Sequence, residues 1–192
     1  MSKIDELEKI KDEVLNLVDS PLYKYRTENK YLPVFGEGSH NAKIIFIGEA
    51  PGRNEAMTGR PFCGSAGKIL DELLDSVKID RKDIYITNIV KDRPQKNRDP
   101  LPEEIEIYGP FLDSEIDIIK PEVIVTLGRY AMNYIMKKYN LDLEIESIGN
   151  AHGKVYKANE IDIVTLYHPC VAIYNRSKLK ILKNDFKILK NY

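Results

Sequence analysis

The stretch Lys43-Ile44-Ile45-Phe46-Ile47-Gly48-Glu49-Ala50-Pro51-Gly52 sets a short unbroken apolar run directly before a turn rich in Gly and Pro. Such a run, without polar alternation, is the pattern of a strand covered on both faces, and the Pro and Gly that follow end it. Three further segments repeat the design: Asp83 to Val90, Glu122 to Leu127 and Ile161 to Tyr167. Helical spacing of apolar residues marks Ala66 to Val77, Pro102 to Ile119, Arg129 to Tyr139 and, at the end of the chain, Lys178 to Leu189. Strands alternating with helices of about ten or more residues need crossover connections, and therefore pair in parallel. The expected fold class is α/β, a three-layer α/β/α arrangement with a central four-stranded, mainly parallel sheet.

Toward the N-terminus, Ile4, Leu7, Ile10, Val14 and Val18 recur at helical spacing and predict an amphipathic first helix that ends before Pro21. The polar, aromatic stretch from Tyr23 to His40 reads as irregular connection, and Arg93 to Pro100 as the one extended Pro-rich loop. At 192 residues the chain suits one domain, expected to run 1–192. With 43% hydrophobic and 31% charged residues it reads as soluble and globular. No apolar run approaches the ~20 residues of a membrane span. Met1 to Glu6 lack the features of a secretory signal, so the expected compartment is the cytoplasm.

Cys63 and Cys170 lie far apart without CxxC spacing, so they build neither a disulfide framework nor a four-thiolate metal site; no metal is expected. A net charge of −1 gives no global attraction to nucleic acid. Any such binding must come from local patches, of which there are two. Lys91, Arg93, Lys96 and Arg98 surround Asp92, and Arg176, Lys178, Lys180, Lys183, Lys187 and Lys190 surround Asp185. Either patch serves equally as a solvated face.

In an open parallel sheet, ligands bind beyond the carboxyl ends of the strands. Following each expected strand outward leads to Glu49 in Gly48–Gly52, to Asn88, to Gly128-Arg129 and to His168-Pro169. A carboxylate, an amide and an imidazole thus converge on one rim. Glu49, partly desolvated, can act on a water or stabilise a developing cation, although from position alone a capping or loop glutamate is an equal reading. Asn88 can read the hydrogen-bonding edge of a base or simply close a turn. His168 alone reads as structural, and its place on the rim shifts it toward function. Phe62, alone a core residue, sits in the rigid Gly59-Arg60-Pro61-Phe62-Cys63-Gly64 loop, which can present its ring as a stacking platform. Ser65 precedes a helix, where a cap would leave backbone N–H groups for a phosphate.

With these residues in hand, the string from Gly48 through Glu55, Gly59, Phe62 and Gly64 to Gly67 resembles the first motif of family 4 uracil-DNA glycosylases. Thr87-Asn88-Ile89-Val90-Lys91-Asp92-Arg93-Pro94 with Asn97-Arg98 is similar to that family's second block, and Tyr167-His168-Pro169 to its histidine motif. The resemblance runs in order from about Pro21 to the C-terminus. It implies that Glu49 supports the hydrolytic water and that Phe62 stacks on an extruded uracil. Asn88 would read the uracil edge, His168 would bond the base oxygen that gains charge, and Glu55 would wall off a thymine methyl, with Ala50 and Gly52 shaping the pocket. A wedge should fill the gap left by the flipped base. The family position falls on Ala172, so Ile173 or Tyr174 is expected to serve instead. Arg176, Lys178, Lys91 and Arg98 would suit phosphates.

Family 4 enzymes hold a four-iron cluster on four cysteines, and the matching positions here are near Leu17, Ser20, Asp92 and Tyr108. None is cysteine, so no iron–sulfur cluster is expected, with Tyr108 filling the space. A cross-linking relative uses a histidine-bearing insertion after the second block; no histidine occurs between Lys91 and Pro102, and that activity is not expected. The function implied is hydrolytic release of uracil from DNA by a monomer. Release of another deaminated base such as hypoxanthine, and non-catalytic binding of uracil or damaged DNA, stay open at this level.

Overall fold

The computed structural model describes residues 2–192; Met1 lies outside them. The elements run α1 (Lys3–Leu15), α2 (Tyr23–Glu28), β1 (Glu37–Gly38), β2 (Ile44–Gly48), α3 (Arg53–Thr58), α4 (Ser65–Val77), β3 (Tyr85–Asn88), α5 (Pro102–Ile119), β4 (Val123–Leu127), α6 (Arg129–Lys138), α7 (Ile148–Ala151), β5 (Lys154–Ala158), β6 (Ile161–Leu166), α8 (Val171–Tyr174) and α9 (Lys178–Phe186). Short 3-10 turns fill several of the connections.

All the strands form one six-stranded sheet in the order β1-β3-β2-β4-β6-β5. The inner four, β3, β2, β4 and β6, are parallel and are the four legible in the sequence. The expected count of four is corrected by the antiparallel edges β1 and β5. An edge strand pairs on one side only, so it needs little apolar sequence. β1 is two residues inside a polar stretch, and β5 carries Lys154 and Lys157 on its exposed positions.

Side chains alternate across the pleat, and every residue of β2 is buried, so both faces must be covered. Ile45 and Ile47 pack with α1, α5 and α6 through Ile10, Leu112, Ile116 and Met132. Ile44 and Phe46 face the opposite cluster, built by Leu70 and Leu73 of α4 and Leu182 and Phe186 of α9. This is the three-layer α/β/α arrangement.

Helix α1 begins with a capping box, in which Ser2 and Asp5 exchange side chain to backbone bonds. It stops at Leu15 rather than continuing to Val18, because Asn16 takes the C-cap and its amide donates to the Asp12 carbonyl. The stretch from Tyr23 to His40, expected to be irregular, contains α2 and β1. Among the described residues no helix is long and apolar enough to cross a membrane.

Candidate active site

The chain leaves β2 to form β3 on one side and later returns to form β4 on the other. The loops beyond β2 therefore diverge, and a crevice opens at this switch point. A cleft of about 690 Å³ lies there, lined by Glu49, Phe62, Asn88 and His168 together with Ala50, Gly52, Glu55, Ser65, Ile173 and Tyr174. The four rim residues expected from the strand ends and the Phe62 loop thus share one cavity.

Close approach at the floor depends on Gly48. A Cβ there would stand 2.3 Å from Asn88 Oδ1 and 2.7 Å from Phe62 Cζ, so both side chains occupy space only glycine leaves. Phe62 has φ 48°, a left-handed conformation costly for an aromatic residue. Arg81 holds it: its guanidinium donates to the Phe62 carbonyl at 3.1 Å and the Pro61 carbonyl at 2.7 Å, and is itself braced by Asp71 at 2.8 Å. The Phe62 ring stacks against His168.

His168 accepts a hydrogen bond at Nδ1 from the Cys170 backbone N–H, 3.2 Å away. A nitrogen that accepts an N–H carries no proton, so the neutral ring is protonated at Nε2. Burial pushes its pKa down to about 4, so at neutral pH the imidazole is an uncharged donor. Glu49 shifts the other way. Burial, then the nearby Asp99 carboxylate, raises it to about 7, while Arg129 partly offsets the rise. Asp99 is paired to Arg129 Nη2 at 2.5 Å and accepts from Tyr130 at 3.0 Å, which ties the Pro-rich loop to the start of α6 beside Glu49. Glu55 is buried and accepts from the Gly64 N–H at 2.7 Å, bridging the first turn of α3 to the N-cap of α4.

The residues expected to face phosphates divide. Lys91 is a correction: it is fully buried, its ammonium engaged by Thr87, Asn88 and Glu115, and it has no path to a phosphate. Ser65 is not a cap; Gly64 holds the N-cap and Ser65 is the first residue of α4, exposed at the cleft. Arg98 lines the cleft with its charge paired to buried Glu104 at 2.8 and 2.5 Å. Arg176 and Lys178 lie outside the cleft lining, Arg176 bonded to Glu72 at 3.3 Å and Lys178 over the Tyr167 ring at 5.5 Å. On α8, Ala172 is buried, whereas Ile173 is 47% and Tyr174 88% exposed, so only the latter two can reach into DNA.

The positions matching the family's cluster cysteines meet in a buried corner. Ser20 Oγ lies 2.7 Å from Tyr108 OH, which donates to Asp92 Oδ2 at 2.6 Å. Arg26 donates to the same carboxylate at 3.2 Å and to the Val14 and Leu15 carbonyls at the end of α1. Leu17 packs against the adjoining core. These are hydroxyl, phenol and carboxylate oxygens committed to one another. An iron–sulfur cluster, which is held by thiolates, does not fit this set.

Asp99 and Arg81 were not singled out from the sequence. Asp99 had a local signal, an acid wedged into a basic Pro-rich loop next to Arg98. Arg81 had none, since its role depends on a contact across nineteen residues with the Phe62 carbonyl.

A mainly parallel sheet opened at its switch point, with a carboxylate, an amide, a neutral imidazole donor and an aromatic ring around one cleft, has the chemistry to suit a planar heterocycle and bond cleavage that separates charge. In agreement, the family model for the uracil DNA glycosylase superfamily matches residues 35–190, and the chain belongs to that superfamily. Type-4 uracil-DNA glycosylases are among its relatives. It is 44% identical to that of Sulfurisphaera tokodaii over 97% of this chain and 84% of the other. It is 43% identical to that of Saccharolobus solfataricus (97% and 86%) and 40% identical to that of Archaeoglobus fulgidus (96% and 92%).

Proposed function

We propose that the protein is a monofunctional DNA-repair glycosylase that hydrolyses the N-glycosidic bond of uracil in DNA and leaves an abasic site. The observation that carries this reading is the meeting of Glu49, Asn88 and an Nε2-protonated His168 in one cleft at the sheet's switch point. As the bond between the base nitrogen and the sugar breaks, positive charge develops on the sugar and negative charge on the leaving uracil. Glu49, when ionised, stabilises the sugar cation and accepts a proton from the water that adds to it. His168 donates Nε2–H to the base oxygen that takes up the charge. A neutral donor suits this step, because no proton need be lost from or returned to the ring.

The base must leave the duplex to reach this cleft, at a cost of a few kcal/mol. Phe62 offers it a stacking surface and Asn88 an amide for its edge. Glu55, with Ala50 and Gly52, shapes the wall, and Ile173 and Tyr174, exposed at the cleft, are the candidates for the wedge that fills the gap. Arg98, Arg176 and Lys178 provide phosphate contacts around the mouth. In this reading the corner formed by Ser20, Asp92, Tyr108 and Arg26 replaces an iron–sulfur cluster, and the enzyme needs no cofactor. The free thiols of Cys63 and Cys170 suit a reducing cytoplasm, and the protein is read as a monomer.

The test is a single-turnover assay on DNA carrying U·G, U·A, single-stranded U or hypoxanthine, with alkaline cleavage of abasic sites and Glu49→Gln as control. Release from the uracil substrates that is lost in Glu49→Gln is expected. Release of hypoxanthine alone, or tight binding without release, overturns the proposal.

A further inference from the structure

Each of the three protons of the buried Lys91 ammonium has an acceptor: Thr87 Oγ1 at 2.8 Å, the Asn88 carbonyl at 2.8 Å and Glu115 Oε2 at 2.6 Å. Thr87 Oγ1 in turn donates to Glu115 Oε2 at 2.8 Å. Glu115 reaches this point from α5 and is itself 1% exposed. Stability alone does not account for such a pair. Removing an ammonium and a carboxylate from water costs enough that apolar side chains of similar volume often serve as well or better.

What the pair does hold is one point of backbone, the carbonyl of the last residue of β3. Just beyond it the Ile89 N–H bonds to the Gly48 carbonyl and the Val90 N–H to the Glu49 carbonyl, both at 3.0 Å. The segment from Asn88 to Lys91 is therefore fastened on one side to the buried ion pair and on the other to the main chain of Gly48 and Glu49. The Asn88 amide rests over Gly48, where a shift of a few tenths of an ångström changes its height in the cleft. The ammonium can bond a carbonyl, a hydroxyl and a carboxylate at once in three directions, which an apolar pair cannot do.

We infer that Lys91 and Glu115 are positioning residues, which set the Asn88 amide against Glu49 for reading the base. The inference rests on the base-reading role given to Asn88 above. Its signature is kinetic rather than thermodynamic. The pair acts through Asn88, so once it is gone the amide has less left to contribute.

The experiment uses the full chain carrying Lys91→Met and Glu115→Leu together, since either alone would strand a buried charge. Thermal melting, the protein concentration for half-saturation of U·G DNA and the saturating single-turnover rate are measured, each with and without Asn88→Ala. The double variant removes the partners of the buried Thr87 hydroxyl and Asn88 carbonyl as well as the two charges, so it is expected to melt modestly below the wild type and to half-saturate alike. Its rate should fall roughly tenfold to a hundredfold, the scale of a slight misplacement of a reacting group. Asn88→Ala should then cost it a smaller factor than it costs the wild type. An undiminished rate in the folded double variant, or the same factor for Asn88→Ala in both backgrounds, overturns the inference. Should the double variant not fold, Lys91→Arg carries the same comparison, because it keeps the charge and changes the donor geometry. Wild-type release of uracil that is untouched by Asn88→Ala would instead remove the role of Asn88 itself.

Discussion

The ring of Phe62 lies against that of His168, with centroids 5.7 Å apart and planes inclined by 30°. The proposed stacking surface and the proposed donor for the leaving base are thus one assembly, set by Arg81 on one side and the Cys170 N–H on the other. Phe62→Leu keeps an apolar side chain in the 5% exposed site and removes the aromatic face. Uracil release should fall by the equivalent of about 1–3 kcal/mol, with little change in melting temperature. Single-turnover rates and thermal melts of the variant check both halves.

The rate should depend on pH through Glu49. In the proposed mechanism only its carboxylate assists the water, and burial and Asp99 raise its pKa to about 7, so release should rise with pH and level off above that point. Asp99 is the second cause of the shift after burial, so Asp99→Asn should move the midpoint to lower pH. A profile of single-turnover rate against pH in both proteins reads this directly; a midpoint unmoved by Asp99→Asn refutes the coupling.

Stability should respond to Glu49 with the opposite sign. A folded pKa raised from 4.5 to about 7 means that the folded protein holds a proton the unfolded chain has released, so this contribution is full at acidic pH and lost as pH rises through 7. Glu49→Gln removes the cost of the buried charge. The variant should therefore melt higher than the wild type at pH 8 and close to it at pH 4, a comparison two thermal scans provide.

In the buried corner around Asp92, Tyr108→Phe removes the phenol that joins Ser20 to Asp92, and should cost about 1–3 kcal/mol. Arg26→Met leaves the buried Asp92 carboxylate without its cation, and should cost more, about 3–5 kcal/mol. Chemical denaturation ranks the two variants. Elemental analysis of the purified wild type should give no stoichiometric iron.

Tyr174 should matter most where a base leaves a gap. Tyr174→Ala is expected to slow release from U·A duplex more than from single-stranded uracil, because no stacked gap forms in the latter. Equal slowing on both substrates would assign Tyr174 to general contacts, and a larger effect of Ile173→Ala on the duplex would move the wedge to that residue.

The inner strands were legible because burial on both faces leaves an unbroken apolar record, as in Ile44 to Ile47. The rim residues followed from the ends of those strands. Edge strands left no comparable record, since Lys154 and Lys157 of β5 are free to face water. Lys91 misled for a related reason. Sequence shows a charge among charges, whereas its destination depends on Glu115 arriving from α5 to neutralise it. Asp99 and Arg81 act on Glu49 and Phe62 only through the folded loops that bring them there.

The closing of the corner around Tyr108 bears on how the protein is made. A cluster has to be assembled elsewhere, delivered and kept from oxidants before the chain around it can settle. A phenol, a serine, an aspartate and an arginine arrive with translation itself. In the cofactor-free reading proposed above, this corner matures without waiting on a cluster and offers oxygen no iron centre to attack.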